Sequence, residues 1–121
     1  MLRLDQTDMI AAVADRLRAI ADENRIRLML ALKDGEQSVN GLVAAVGIAQ
    51  ASVSKHLAVL KGAGLVECRR EGTQMFYSIV DDRVFDMCAI VCDGVIRHIK
   101  SQQQIINDLT AGVKARKGRA A

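Results

Sequence analysis

Apolar residues recur along this chain first at helical spacing, then in alternation, then at helical spacing again. From Thr7 or Asp8, the positions Ile10, Val13, Leu17 and Ile20 share one face of a first helix. Asp22 is suited to cap a second helix that turns Ile26, Met29, Leu30 and Leu32 inward, and Asp34-Gly35 ends it. Ser38 caps a short third helix holding Leu42, Val43 and Val46, and Gly47 closes it where a left-handed residue turns the chain. A fourth helix begins near Gln50, carries Val53, Leu57 and Leu60 as its buried stripe, and ends at Gly62 and Gly64. Two helices joined by a tight glycine-containing turn predict a helix-turn-helix, whose second helix presents its outer face to a groove.

At Leu65 the period changes to alternation. Leu65–Arg70 and Met75–Ile79 read as two strands around Glu71-Gly72-Thr73-Gln74, a β-hairpin. Asp81 or Asp82 then caps a long helix reaching about Leu109, with Val84, Phe85, Met87, Cys88, Val91, Cys92, Val95, Ile96, Ile99, Ile105 and Ile106 as its apolar positions. The pattern therefore predicts a mainly α fold: a winged helix-turn-helix with a two-stranded hairpin wing and long N- and C-terminal dimerisation helices. Neither repeat nor linker interrupts it. Residues 1–111 read as one DNA-binding and dimerisation domain, and 112–121 as a basic, disordered tail. So small a core cannot cover two long helices that are each broadly apolar, so pairing across a two-fold axis is expected.

Composition narrows this picture without changing it. The 121 residues suit one modest core. Phe76, Tyr77 and Phe85 are the only aromatics, so aliphatic side chains must build that core, and with no proline nothing breaks the helices by that route. The net charge of +3 points weakly to an anionic partner, since Lys114, Arg116, Lys117 and Arg119 crowd the tail without an acid. That tail reads either as a solvated terminus or as an arm adding phosphate contacts. No run approaches the roughly 18 apolar residues of a membrane span, and the expectation is a soluble, cytoplasmic protein without a membrane partner. Three cysteines in that compartment read as thiols rather than a disulfide framework. Enzyme chemistry finds no support, because no Cys-x-x-Cys, Gly-x-Ser-x-Gly, His-Glu-x-x-His or phosphate-binding glycine loop is present.

Three phrases carry a family likeness. They are Ala21-Asp22-Glu23-Asn24-Arg25-Ile26-Arg27-Leu28, then Gln50-Ala51-Ser52-Val53-Ser54-Lys55-His56-Leu57-Ala58-Val59-Leu60-Lys61-Gly62-Ala63-Gly64-Leu65-Val66, and the wing phrase from Arg69 to Ile79. Together with the order of elements they resemble the ArsR/SmtB family of winged-helix repressors over about residues 10–100. The resemblance implies a homodimer that sits on an imperfect palindrome of double-stranded operator DNA and leaves it when an effector binds.

The residues off the buried stripe of the fourth helix suit that role on their own chemistry. Gln50, Ser52, Ser54, Lys55 and His56 are short or flexible donors fitted to base edges and phosphates, and Arg69, Arg70, Thr73 and Gln74 are placed for the flanking backbone or minor groove. Ser52 and Ser54 also read as helix-solvating residues, and His56 as one that packs beneath the helix. Ala49 stands where a capping Ser or Thr is common.

For the effector, the family's third-helix metalloid site would need cysteines near Leu42–Val46, where there are none. Its zinc site on the last helix would need histidines where Arg83 and Gly94 stand, with Asp81 alone in place. Cys88 and Cys92 remain. Their spacing of four puts both sulfurs on one helical face. They read either as small hydrophobes in the dimer seam or as a thiol pair. Such a pair would bind a soft metal or metalloid ion (arsenite-like, cadmium or zinc) or react with sulfur species or oxidants. No obligatory cofactor is expected. Cys68, on the first hairpin strand, reads as a third thiolate or as a half-buried strand residue. The alternative for the whole chain is an effector-independent repressor in which the cysteines only pack.

Overall fold

The protein is described here by a computed structural model covering residues 5–119, with side chains through Arg116. It divides into two compact units, one ending at Asp82 and one starting at Arg83. In the first, α1 (Gln6–Ile20), α2 (Glu23–Ala31), β1 (Gln37–Ser38), α3 (Val39–Val46), α4 (Gln50–Gly62), β2 (Val66–Glu71) and β3 (Gln74–Ile79) follow one another. The second is a single helix, α5 (Arg83–Arg119).

The helix boundaries follow from local chemistry. Asp5 caps α1 in a reciprocal box with Asp8, so the helix starts slightly earlier than the Thr7 or Asp8 expected. Asp22 caps α2, its carboxylate accepting from the amides of Asn24 and Arg25 at 2.9 and 3.1 Å. Ser38 Oγ accepts from Gly41 N at 3.0 Å to start α3, and Gly47 ends it at φ +75°. Past α4, Gly64 at φ +74° lets its own amide reach the Lys61 carbonyl while Leu65 N reaches Leu60 O, which closes the helix and starts the sheet. As expected from Ala49, α4 has no side-chain N-cap.

The core of the first unit is aliphatic. Leu28, Leu42, Val53, Leu57 and Leu60 are wholly inaccessible, with Met29, Leu32 and Val66 nearly so. Leu30, expected inward, is instead 51% exposed. The face of α2 that meets α3 and α4 is Leu28, Met29 and Leu32, and Leu30 lies off it.

The sheet carries one strand more than the hairpin expected. Its order is β1-β3-β2, all antiparallel, with Gln37 opposite Tyr77 and Ser38 opposite Phe76. A two-residue strand inside a polar loop has no periodicity to reveal it. Glu71 pairs with Gln74, so the wing turns on Gly72 and Thr73, with Gly72 at φ +62° as the first central position of such a turn favours.

Helix α5 runs past Leu109, where its pattern was expected to end, and draws the segment from Gly112, expected to be disordered, into the helix as far as Arg119. Gly112 costs a helix interior only about 1 kcal/mol, and no proline stops the run. Residues 120 and 121, and the side chains of Lys117 and Arg119 in the expected basic tail, lie outside the described part. No single helix among the described residues is long and apolar enough to cross a membrane.

Two substitutions test this account by urea denaturation. Leu57→Ala should cost about 2–5 kcal/mol, because the leucine is fully enclosed. Ser38→Ala should cost about 1 kcal/mol, the usual worth of a capping hydroxyl.

Candidate nucleic-acid interface

Burial of Val53, Leu57 and Leu60 sets the rotation of α4 and leaves Gln50, Ser54 and Lys55 exposed on its outer side. Ser52 and His56, one turn apart, lie half-buried on the flank. Beside this helix the wing turn and the start of α3 close a cleft of about 280 Å³, lined by Ser38, Asn40, Gln50, Ser54, Thr73 and Gln74 with Val39, Met75 and Tyr77. Four of the residues picked out from sequence thus meet: Gln50 and Ser54 from α4, Thr73 and Gln74 from the wing. Asn40 and Tyr77 were not picked out. They join because β1 pairs with β3 and carries the start of α3 beside the wing. The polar run Gln37-Ser38-Val39-Asn40 was the only trace of this in the sequence.

His56 is engaged on the inner side of the helix-turn-helix. Its Nδ1 lies 3.3 Å from Arg25 Nη1 and 4.0 Å from Asp22 Oδ1, and its side chain is 20% exposed. Arg25 in turn donates from Nε to the Ala19 carbonyl at 2.6 Å and from Nη2 to the Arg18 carbonyl at 3.3 Å, satisfying the C-terminal end of α1. One arginine of α2 therefore ties the end of α1 to α4. The Asp22 carboxyl is held below the ordinary carboxylate range, chiefly by the Arg25 amide and then by the Arg25 charge, with burial opposing.

The wing arginines are also held. Arg69 makes a paired bond to Glu36, Nε to Oε2 at 2.7 Å and Nη2 to Oε1 at 2.6 Å. It donates to Glu71 at 2.8 Å and stacks 4.8 Å from the Phe76 ring centre. It is therefore a strut between the loop before β1 and the wing. That bonding lowers the Glu36 carboxyl below its ordinary value and raises the Arg69 guanidinium above its own. Arg70 folds onto the turn, donating to the Gly72 carbonyl at 3.1 Å. Thr73 and Gln74 stand exposed at the tip.

The cysteines are all reduced. Cys68 is half-buried on β2, directly across from Tyr77, whose phenol is pushed up by burial and by that thiol. On α5, Cys88 is half-buried and Cys92 exposed, one turn apart. Among the described residues, no group of three or more His, Cys, Asp or Glu within one copy is arranged to hold a metal ion.

Known proteins resemble this chain in sequence and fold. Residues 22–67 match the bacterial regulatory protein, arsR family. The chain is 42% identical over 77 residues to the HTH-type transcriptional regulator KmtR of Mycobacterium tuberculosis, covering 64% of this chain and 59% of that one. It is 36% identical over 93 residues to a transcriptional repressor SmtB homolog of Synechocystis, covering 77% and 68%. Among solved structures, the homodimeric winged helix-turn-helix DNA-binding domain of Mb0332 from Mycobacterium bovis, described as a possible ArsR-family transcriptional regulator, superposes with a TM-score of 0.69. That match is at 31% identity and covers 81% of this chain and 95% of that one. The chain thus spans less than two thirds of KmtR's length.

The Glu36–Arg69 strut gives a pH test. Because the folded carboxyl titrates below its unfolded value, its contribution is complete above about pH 4.5 and fades as pH falls through the lowered pKa. Glu36→Gln should therefore unfold at a lower temperature than the wild type at pH 7, and the two midpoints should converge as pH falls through the lowered pKa. A gap that persists unchanged in acid would show that the strut contributes nothing through charge.

Proposed function

The chain belongs to the ArsR/SmtB family of winged-helix regulators, and from that premise we propose that it is a homodimeric, sequence-specific DNA-binding transcriptional repressor. The observation that carries this reading is the cleft, where two donors of an outward-facing helix and two of a wing turn meet on one polar surface. Gln50 and Ser54 are the side chains for base edges, Gln50 with the paired donor and acceptor that adenine requires. Lys55 supplies a phosphate contact, and Thr73 and Gln74 reach the flanking backbone or minor groove. The first-turn amides of α4, left without a side-chain cap by Ala49, face the same task, since helix N-termini attract phosphate.

Dimerisation is supported by apolar surface that one copy leaves uncovered. On α1, Met9, Ile10, Val13 and Leu17 are about half exposed, and on α5 Val91, Val95, Ile96 and Ile99 are 60, 53, 46 and 59% exposed. Faces of this kind need a partner, and a second copy supplies the same two faces again.

Release from DNA follows capture of a thiol-reactive effector by Cys88 and Cys92. Two thiolates one turn apart on one helix suit a soft metal or metalloid ion, and further ligands come from the second copy or from solvent. The same pair suits reactive sulfur or an oxidant. An effector bridging the seam favours one packing of the two copies, and the recognition helices then lose the spacing of successive major grooves. A hundredfold loss of operator affinity requires about 2.7 kcal/mol of differential binding, an ordinary coupling energy.

Fluorescence anisotropy on the chain's own promoter DNA tests both halves. Affinity should fall steeply with salt. Gln50→Ala should cost about 1–3 kcal/mol and relax preference at one base pair, whereas Lys55→Ala should weaken all sequences alike and shallow the salt slope by about 1. A flat salt response without sequence preference would remove the DNA-binding reading. Titration with arsenite, cadmium, zinc, persulfide and peroxide should release the wild type, and Cys88→Ser and Cys92→Ser should abolish that release. Release that persists in both variants would leave the cysteines as packing only. Cys68→Ser, run in parallel, decides whether a third thiolate belongs to the site.

A further inference from the structure

His56 belongs to the helix that presents Gln50, Ser54 and Lys55, yet it does not line the cleft, and its ring is engaged with α2 instead. The chemistry of that contact fixes the state of the ring. A guanidinium has only donors, so the 3.3 Å approach of Arg25 Nη1 requires Nδ1 of His56 to accept. Only a neutral ring, with its proton on Nε2, can do so. A protonated imidazole donates from both nitrogens, and the same contact then sets cation against cation.

Arg25 is not free to withdraw. Its Nε and Nη2 are bonded to the carbonyls of Ala19 and Arg18 at the end of α1, and its amide is held by the Asp22 cap. The other partner open to a charged ring is Asp22 Oδ1, which lies 4.0 Å from Nδ1, beyond hydrogen-bond reach. That oxygen already accepts from the amides of Asn24 and Arg25. A proton on His56 therefore exchanges a bond accepted from Arg25 for one donated to Asp22, and the ring must move to make it. Because the ring is half-buried, its movement displaces the turn of α4 that carries it.

The other charged groups around α4 are engaged elsewhere or face solvent. On α1, Arg18 bonds Asp15 and Arg16 bonds the Gly64 carbonyl. On α2, Arg27 lies against Glu23, and α3 has no charged residue. On β2, Arg69 and Arg70 are held as described above and Glu67 is exposed. Lys55 and Lys61 of α4 itself are exposed. Among the described residues, Asp22 and Arg25 are thus the charged groups that meet the ring.

We propose that Arg25 is a positioning residue for DNA binding that acts through His56: the bond to the neutral ring holds α4 in its presenting orientation, and a proton on His56 releases that hold and weakens operator binding. The inference rests on the repressor reading above. It gives His56 a sign opposite to that of a phosphate contact, since a histidine touching DNA binds more tightly when charged.

Fluorescence anisotropy on the chain's own promoter DNA, at fixed ionic strength, tests this. Wild-type affinity should fall at least about fivefold as pH drops from about 8 to about 5, the range in which histidines change charge. His56→Asn keeps an acceptor where Nδ1 stands, has a similar helix propensity and takes up no proton, so its profile should be flat. Arg25→Gln should bind more weakly than the wild type at pH 8 and lose little more in acid. His98→Gln, altered on α5, should retain the wild-type step. Circular dichroism at each pH separates loss of binding from loss of fold, and a step that coincides with unfolding overturns the proposal. So does a flat wild-type profile, a step that persists in His56→Asn, or affinity that rises in acid; each leaves the DNA reading intact. Binding without sequence preference at every pH overturns the repressor reading, and the positioning role with it.

Discussion

The position of the outward polar face of α4 rests on how three of its side chains are buried. Val53, Leu57 and Leu60 have no accessible surface, and together they leave the helix one rotation about its own axis. A turn of one residue, about 100°, would bury Ser54 and expose Leu57, at a cost of about 1.5–3 kcal/mol for the leucine alone. The outward face is therefore the complement of the core, not an independent feature. Packing also decides which donors are available. Ser54 and Lys55 lie free of the core, whereas Ser52 and His56 sit at its margin.

Around that constraint the polar residues divide into those that hold the frame and those left to act. Arg25 illustrates the first kind, since it spends its donors on the end of α1 and on His56. Arg69 is another, committed to Glu36 and Glu71. Moving Arg69 to a phosphate would mean breaking a paired bond to a carboxylate, and as it stands the residue fixes the wing. Thr73 and Gln74 can then present from a turn whose base is braced. A surface ion pair contributes little to global stability; its value here is geometric.

Much of this was readable from residue order, for physical reasons that differ by element. Asp22, Ser38, Gly47 and Gly64 each satisfy a local need, a cap or a left-handed turn, that no distant contact overrides. The stripe of α4 was readable because thirteen residues give the period room to show. In the nine residues of α2 the positions Ile26, Met29 and Leu30 make as good a stripe as Leu28, Met29 and Leu32. Only the placement of α3 and α4 separates them. The role of Arg69 was hidden for a related reason: its partner Glu36 lies 33 positions away, in a loop with no pattern. Asn40 and Tyr77 entered the cleft through the two-residue strand β1, which pairing creates and composition does not announce.

Helix α5 raises the opposite problem, a pattern with more order than one copy uses. Its 37 residues make a rod about 55 Å long, and exposed aliphatic side chains on such a rod would favour indiscriminate association unless one partner covers them. The apolar face of α5 is where such a partner would sit in the proposed dimer. It also gives the cysteines their setting. Cys88 and Cys92 lie one turn apart on this helix, where a thiol packs as a small apolar group and a thiolate bound to an ion does not. In the proposed dimer, conversion between the two would change how α5 packs.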